Sequence, residues 1–155
     1  MSLDEQIQLG EYRRAALVRI GDAHALRRSK RYGFAMYAAG VAAECMLRAF
    51  RRLDRPHSAK HGLVAHFKAC DEAKLGEPAR KRIRNPIATV RYLWLNNFRF
   101  KDEAGIQNHL KQVQYYENLI RGSDSLKVAC GELVDAATTI VTVGDERWRN
   151  LSEKK

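Results

Sequence analysis

The 155-residue sequence is poor in the residues that mark several common protein classes. It has three cysteines, Cys45, Cys70 and Cys130, which are far apart, odd in number and without a Cys-x-x-Cys pair. Neither a disulfide framework nor a zinc ribbon is therefore indicated, and three buried thiols are expected. Only three prolines are present and 45% of the residues are hydrophobic, which excludes a disordered or fibrous chain.

Long apolar runs are missing as well. No run approaches the roughly 18 residues that a membrane-spanning helix needs, and the N-terminus lacks the basic and then apolar layout of a secretory signal. We expect a single cytoplasmic domain with no membrane segment, in which residues 1–8 and 145–155 are less ordered.

Templates for common enzyme chemistry are also absent. The sequence has no Gly-rich phosphate loop, no Asp/Glu pair at metal spacing and no Ser/His/Asp order. His57, His61, His66 and Cys70 include pairs four residues apart, but His57 precedes a helix and His61 and His66 lie five apart, which splays them around it. We expect no metal and no cofactor, and solvent-facing or capping histidines.

Positive charge dominates the first two thirds of the chain. Residues 1–60 carry 12 Lys and Arg against 6 Asp and Glu, and residues 61–101 carry 9 against 3, so each block has a net charge of +6. Residues 102–155 carry 7 against 9, a net charge of −2. Such a field attracts phosphate-bearing or acidic partners but does not choose between RNA, DNA, a nucleotide and an acidic protein.

The spacing of apolar residues predicts an all-α fold. Pro56 is expected to end the second helix, the Asn85-Pro86 pair to separate two further helices, and Asp124 or Ser123 to cap the last one. For the segment around Val90 a strand is the alternative. The predicted helices span residues 9–28, 31–53, 60–74, 78–83, 87–97, 106–122 and 124–144.

The helix predicted over residues 31–53 has the strongest periodicity, and its small residues would let neighbouring helices approach from several sides, as in the centre of a bundle. Glu44 lies within its apolar run. A buried carboxylate needs a partner, so we expect either a structural ion pair with an arginine of another helix, such as Arg91, or a role in an anion-binding cleft.

Two groups of arginines are candidate anion-binding or RNA-binding residues. Arg48, Arg51, Arg52 and Arg55 would line one face of the second helix, where guanidinium groups can bind phosphates, although a solvated helix end is the alternative. The second group interleaves basic and aromatic residues, which suits nucleic-acid binding, although the aromatic residues could equally be core. It comprises Arg80, Lys81, Arg82, Arg84, Arg91, Tyr92, Trp94, Phe98, Arg99 and Phe100.

Residues 32–49, YGFAMYAAGVAAECMLRA, resemble the second helix of HEPN domains, where a run of small residues contains an embedded Glu. His61-Gly62-Leu63 resembles the start of the next helix, where many members have His-Asp-Leu and this chain has Gly62. The resemblance is strongest over residues 31–71, looser over residues 91–100, and holds for the last helix only by position and pattern.

This resemblance implies an antiparallel bundle of four or five main helices with short connecting helices. It also implies a homodimer, in a family linked to RNA, nucleotides and toxin–antitoxin systems. Active members are metal-independent endoribonucleases with an Arg followed four to six residues later by a His near the start of the last helix. Counting from Arg121, the three allowed positions hold Leu126, Lys127 and Val128.

The sequence therefore favours a non-catalytic HEPN-like module that binds RNA, a nucleotide or a partner protein through its basic residues. One alternative is a toxin-like endoribonuclease with a displaced pair such as Arg52 and His57, which has the right spacing in another part of the chain. The other is a protein that only binds a partner of the nucleotidyltransferase type.

Overall fold

The computed structural model describes residues 3–54, 62–113 and 124–154, with side chains from residue 8 onward. All regular elements in these ranges are helices, so the predicted all-α class is confirmed. They are α1 (Leu3–Arg28), α2 (Tyr32–Ala49), α3 (Leu63–Lys68), α4 (Glu72–Leu75), α5 (Glu77–Leu93), a 3-10 helix (Asn96–Phe100), α6 (Glu103–Gln112) and α7 (Ser125–Glu153).

The four long helices α1, α2, α5 and α7 form a helical bundle. Helix α2 packs against α1 and α7, and α7 packs against α5 on another side and also contacts α1, α4 and α6. The apolar stripe of α2 is buried, as its periodicity predicted. Leu126, Ala129, Leu133, Ile140 and Val141, which form the apolar stripe of α7, are buried as well.

Several predicted helix ends are confirmed. Helix α1 ends at Arg28, and Gly76, with a φ of 79°, separates α4 from α5. The Asp124 carboxylate accepts a hydrogen bond of 3.1 Å from the backbone N–H of Lys127 and so caps α7. These local signals act within one turn of the helix, which is why they can be read from the sequence.

Lys30 closes the α1–α2 hairpin in the left-handed conformation, with a φ of 60°, and the next backbone N–H, of Arg31, donates to the carbonyl of Leu26 at 2.9 Å. Glycine is the usual residue at this position of a helix C-terminus because a side chain there is strained. We expect Lys30→Gly to raise the free energy of unfolding by about 1 kcal/mol and the melting temperature by about 3 °C.

Chemical denaturation in urea checks this expectation, with Ser29→Gly as the control because Ser29 precedes Lys30 and does not have a positive φ. The control adds the flexibility of glycine without relieving strain, so it should lose stability or leave it unchanged. An equal effect of the two substitutions would show that Lys30 is not strained.

The predicted end of the second helix is wrong. Helix α2 stops at Ala49, several residues before Pro56, because the following backbone pairs with a distant segment. The carbonyl of Phe50 accepts from the N–H of Asp71 at 2.7 Å, and the N–H of Arg52 donates to the carbonyl of Ala69 at 2.9 Å. This pairing also divides the helix predicted over residues 60–74 into α3 and α4.

Other boundary predictions are wrong as well, including the starts of the helices predicted from residues 9 and 106, which begin at Leu3 and Glu103. Pro86 lies inside α5 and does not break it, because Ile83 and Ile87 on either side of the proline are buried and hold the helix against α7. The strand alternative around Val90 is wrong as well, since Val90 belongs to the same helix. Helix α5 ends at Leu93 and not at residue 97, and the 3-10 helix Asn96–Phe100 follows it. Helix α7 does not end near Gly144 but continues to Glu153.

Two glycines allow the long helices to approach closely. A methyl group built on Gly40 of α2 would overlap the indole of Trp94, which follows α5 and is buried, as the core alternative for this residue requires. A methyl group on Gly144 of α7 would overlap the side chain of Met46. Gly144 is therefore a packing position within the helix and not its end.

Candidate nucleic-acid interface

Helix α5 has one apolar and one basic side. Its apolar side is buried against the bundle. Lys81, Arg84 and Arg91 are exposed, and at 100° per residue they fall within an arc of about 80° on the solvent side. The same periodicity that buries one side of α5 therefore collects these cations on the other. The buried residues are Ala79, Ile83, Ile87, Val90 and Leu93.

These three cations have no acidic partner among the residues that the structure describes. Arg82, by contrast, lies toward α7 and pairs with Glu146 at 3.1 Å. The only carboxylate of α5 itself is that of Glu77, in the first turn. We call Lys81, Arg84 and Arg91 the α5 cation line.

The 3-10 helix extends this surface with an exposed aromatic residue. Phe98 is buried and its ring meets that of His109 edge to face, with centroids 5.4 Å apart. Phe100, two residues later, is 77% exposed, and the guanidinium of Arg99 lies 4.6 Å from the centroid of its ring. Because Phe98 anchors the segment, Phe100 is presented on a fixed backbone.

Contacts with α6 hold the end of α5 in place. The exposed Tyr92 donates its hydroxyl hydrogen to the carbonyl of Val113, just after α6. Burial lowers the pKa of His109, and the nearby charge of Lys101 lowers it further. A hydrogen bond with the backbone of Tyr92 raises this pKa but does not outweigh the burial. His109 is thus favoured in its neutral form, so it serves the packing of Phe98 and adds no charge to the surface.

A surface pocket of about 270 Å³ lies beside the 3-10 helix. It contains cations from two parts of the chain together with two carboxylates, of which that of Asp102 accepts from the N–H of Gly105 and caps α6. Its three cations outnumber its two carboxylates, so the pocket has a small excess of positive charge. Its lining residues are Lys30, Arg31, Gly33, Phe34, Phe98, Lys101, Asp102 and Glu103.

The arginine stripe predicted on the second helix is not formed. Arg48 is only 7% exposed, and its guanidinium binds the Glu44 carboxylate with both Nε and Nη2 at 2.8 Å from Oε1. Helix α2 ends before Arg51 and Arg52, so these residues do not continue its face. The prediction that these arginines share one helix face is therefore wrong for Arg48, Arg51 and Arg52.

The other members of that predicted stripe are engaged differently. Arg51 donates from Nη2 to the side-chain oxygen of Gln8 at 2.7 Å. Arg52 binds Asp54 through two hydrogen bonds, of 3.0 Å from Nε and 2.6 Å from Nη2, and this pairing raises its pKa. Arg55 and His57 lie outside the described residues, so the displaced Arg52 and His57 pair stays a prediction.

Glu44 is buried, as the sequence predicts, but with different partners. They are Arg48 of its own helix and, at 3.6 Å, His66 of α3, whereas Arg91 is exposed on α5. His66 is also buried, so the expectation of a solvent-facing or capping histidine is wrong for it. The Arg48 guanidinium also lies 5.8 Å from the ring centroid of Tyr12, which links α1 to this polar cluster.

Arg80, predicted to bind anions, instead packs on an aromatic ring. Its guanidinium lies 4.5 Å from the ring centroid of Phe67 in α3. Arg84, Arg91 and Arg99 remain exposed as the proposed RNA contacts. Lys81, which belongs to the same predicted group, is exposed as well; it lies three residues before Arg84 and on the side opposite Ile83.

The three thiols are free, and Cys70 and Cys130 are buried while Cys45 is partly buried. Burial raises the pKa of Cys45 and Cys130 to about 11 and that of Cys70 to about 12. At neutral pH they are therefore protonated and poorly nucleophilic. In the described ranges no three His, Cys, Asp or Glu side chains come together as a metal site would require.

No helix within the described part of the chain combines the length and apolar character that crossing a membrane demands. Comparisons with protein-family models, with curated proteins and with solved structures found no match to this chain.

Proposed function

We propose that this chain is a non-catalytic, HEPN-like helical module that binds RNA through the α5 cation line and the adjoining 3-10 helix. The observation that carries the proposal is the set of exposed cations, Lys81, Arg84 and Arg91, with no acidic partner among the described residues. The resemblance of residues 32–49 to HEPN domains supports the same proposal.

The length of the cation line favours a polymer over a single nucleotide. Lys81 and Arg91 are ten residues apart on one helix, which corresponds to about 15 Å along its axis. Cations spread over that distance match a chain of phosphates, whereas a mononucleotide offers its phosphates at one point. Arg99 and the pocket cations Arg31 and Lys101 extend the positive surface beyond the end of α5.

Charge reversal of the cation line tests this proposal. For Arg84→Glu/Arg91→Glu we expect RNA affinity at about 0.1 M salt to fall at least roughly 10-fold, and the slope of log affinity against log salt to flatten by roughly one unit per lost phosphate contact. Fluorescence anisotropy with a labelled RNA across a salt series measures both quantities.

The matched control is Arg14→Glu/Arg28→Glu, which reverses two exposed arginines of α1 and changes the net charge by the same amount. It should lose only a few-fold in affinity, because it alters the overall field and not the interface. Equal losses in the two variants would contradict a defined interface on α5. RNA cleavage in EDTA by the parent protein, lost in Arg52→Ala and in His57→Ala, would instead support the endoribonuclease alternative.

The HEPN-like proposal includes a cytoplasmic homodimer. Val18 of α1 and Phe34 of α2 are 57% and 58% exposed, so the bundle has apolar residues that a second copy would cover. The rival proposal, a partner protein of the nucleotidyltransferase type, uses the same cations against an acidic protein surface. Purification of the chain with a bound acidic protein and no nucleic acid would favour that rival.

A further inference from the structure

Phe100 is the most exposed of the large apolar side chains in the described ranges. Burying a phenylalanine side chain stabilises a protein by about 1.5–3 kcal/mol, yet 77% of Phe100 is left in water. Its backbone is nevertheless well held, since the N–H of Phe98 donates to the carbonyl of Leu95 at 3.0 Å and that of Lys101 to the carbonyl of Phe98 at 3.1 Å. The exposed ring is thus a fixed feature of the surface.

One cation lies against this ring, and two others belong to the neighbouring segments of the chain. Arg99 lies over the ring, and with 77% of the residue exposed the opposite face is open to solvent. Lys101 follows directly in the chain, and Arg91 of the α5 cation line is exposed in the last turn of α5. An open aromatic face flanked by cations can stack one base while the cations bind the phosphates on either side of it.

We propose that the RNA bound by this surface is single stranded and that one unpaired base stacks on Phe100, an inference that rests on the proposed RNA-binding function. In a duplex the bases are paired and stacked on one another, so they cannot reach an external ring, whereas the bases of a single strand can. Duplex RNA would therefore use the cations of this surface but not the ring.

Substitutions of Phe100 test the stacking. We expect Phe100→Ala to weaken binding of a single-stranded RNA of about twelve nucleotides about 10-fold and to leave binding of a duplex of the same length unchanged. Phe100→Leu should lose as much as Phe100→Ala, because leucine keeps the apolar bulk but has no flat face. Phe100→Trp should retain or increase the affinity.

The tryptophan variant also reports directly on contact with the base. Stacking should quench the emission of an exposed tryptophan at position 100 when single-stranded RNA is added, and duplex RNA should not. The native tryptophans, Trp94 and Trp148, are buried and partly buried. The parent protein therefore provides the baseline for the titration.

The outcomes separate this inference from the proposed function. If Arg84→Glu/Arg91→Glu abolishes RNA binding while Phe100→Ala binds single strands as well as the parent, RNA binding stands and stacking is overturned. If Phe100→Leu retains the affinity that Phe100→Ala loses, the ring acts as an apolar contact and stacking is again overturned. If the parent binds neither single-stranded nor duplex RNA, both proposals fall.

Discussion

Gly40→Ala is expected to lower the free energy of unfolding by about 2 kcal/mol and the melting temperature by about 6 °C. The added methyl group would occupy the space of the Trp94 indole, which is buried between α2 and the end of α5. A gain of about 1 kcal/mol in helix propensity offsets part of this effect but not the displacement of a buried ring. Thermal and urea unfolding measure the change.

The control for this prediction is Gly21→Ala, the same substitution in α1 at an exposed position where a methyl group would meet no atom within 4 Å. It should raise stability by about 0.5–1 kcal/mol, because only helix propensity changes. In a Trp94→Leu background, Gly40→Ala should no longer destabilise the protein. If Gly40→Ala lowers the free energy of unfolding by the same amount in the Trp94→Leu background, overlap with the indole is not the cause.

Arg48→Met is expected to lower the free energy of unfolding by about 3–5 kcal/mol. The substitution removes the guanidinium that lies 2.8 Å from the Glu44 carboxylate, in a place where both side chains are only 8% exposed. Removing the cation destabilises the protein by more than the intact pair stabilises it, because the remaining carboxylate stays buried away from water without a compensating charge. Urea denaturation with parallel circular dichroism measures the loss.

Two further variants make this prediction specific. Arg19→Met is the matched control, because Arg19 pairs with Asp22 at 2.8 Å while both side chains are 50% exposed, so the loss should stay below about 1 kcal/mol. Glu44→Leu/Arg48→Met removes both charges and should recover most of the stability lost in Arg48→Met. A double variant as unstable as the single one would show that burial of the charge is not the source of the loss.

The fold could be predicted from the sequence wherever one helix supplied the signal. Apolar residues every three or four positions revealed α1, α2 and α7, and Gly76 and Asp124 marked helix ends through their own backbone or side chain. The end of α2 could not be predicted, because Phe50 and Arg52 form hydrogen bonds with the distant residues Asp71 and Ala69. Periodicity carries no information about such pairing.

In the candidate site, too, features set by a single helix could be predicted and features set by packing between helices could not. Arg84 and Arg91 are exposed on α5 because they lie opposite its apolar stripe, a position that helical periodicity gives, while their role in RNA binding stays a prediction. Arg48 looked equivalent in the sequence, but the helix around it is covered on several sides, so it pairs with Glu44 in the interior. Which arginine becomes buried depends on how completely its helix is surrounded, and that is set by the other helices.

The position of α7 in the chain has a consequence for folding during synthesis. This helix packs on α1, α2, α4, α5 and α6, and its Gly144 and Trp148 meet Met46 and Phe50 of the α2 region. A ribosome adds about 5–20 residues per second, so Met46 and Phe50 are synthesised roughly 5–20 s before the residues of α7 that pack on them. During that interval the nascent α1–α2 hairpin exposes the apolar surface that α7 later covers. We therefore expect chaperones that recognise exposed apolar segments to bind the nascent chain.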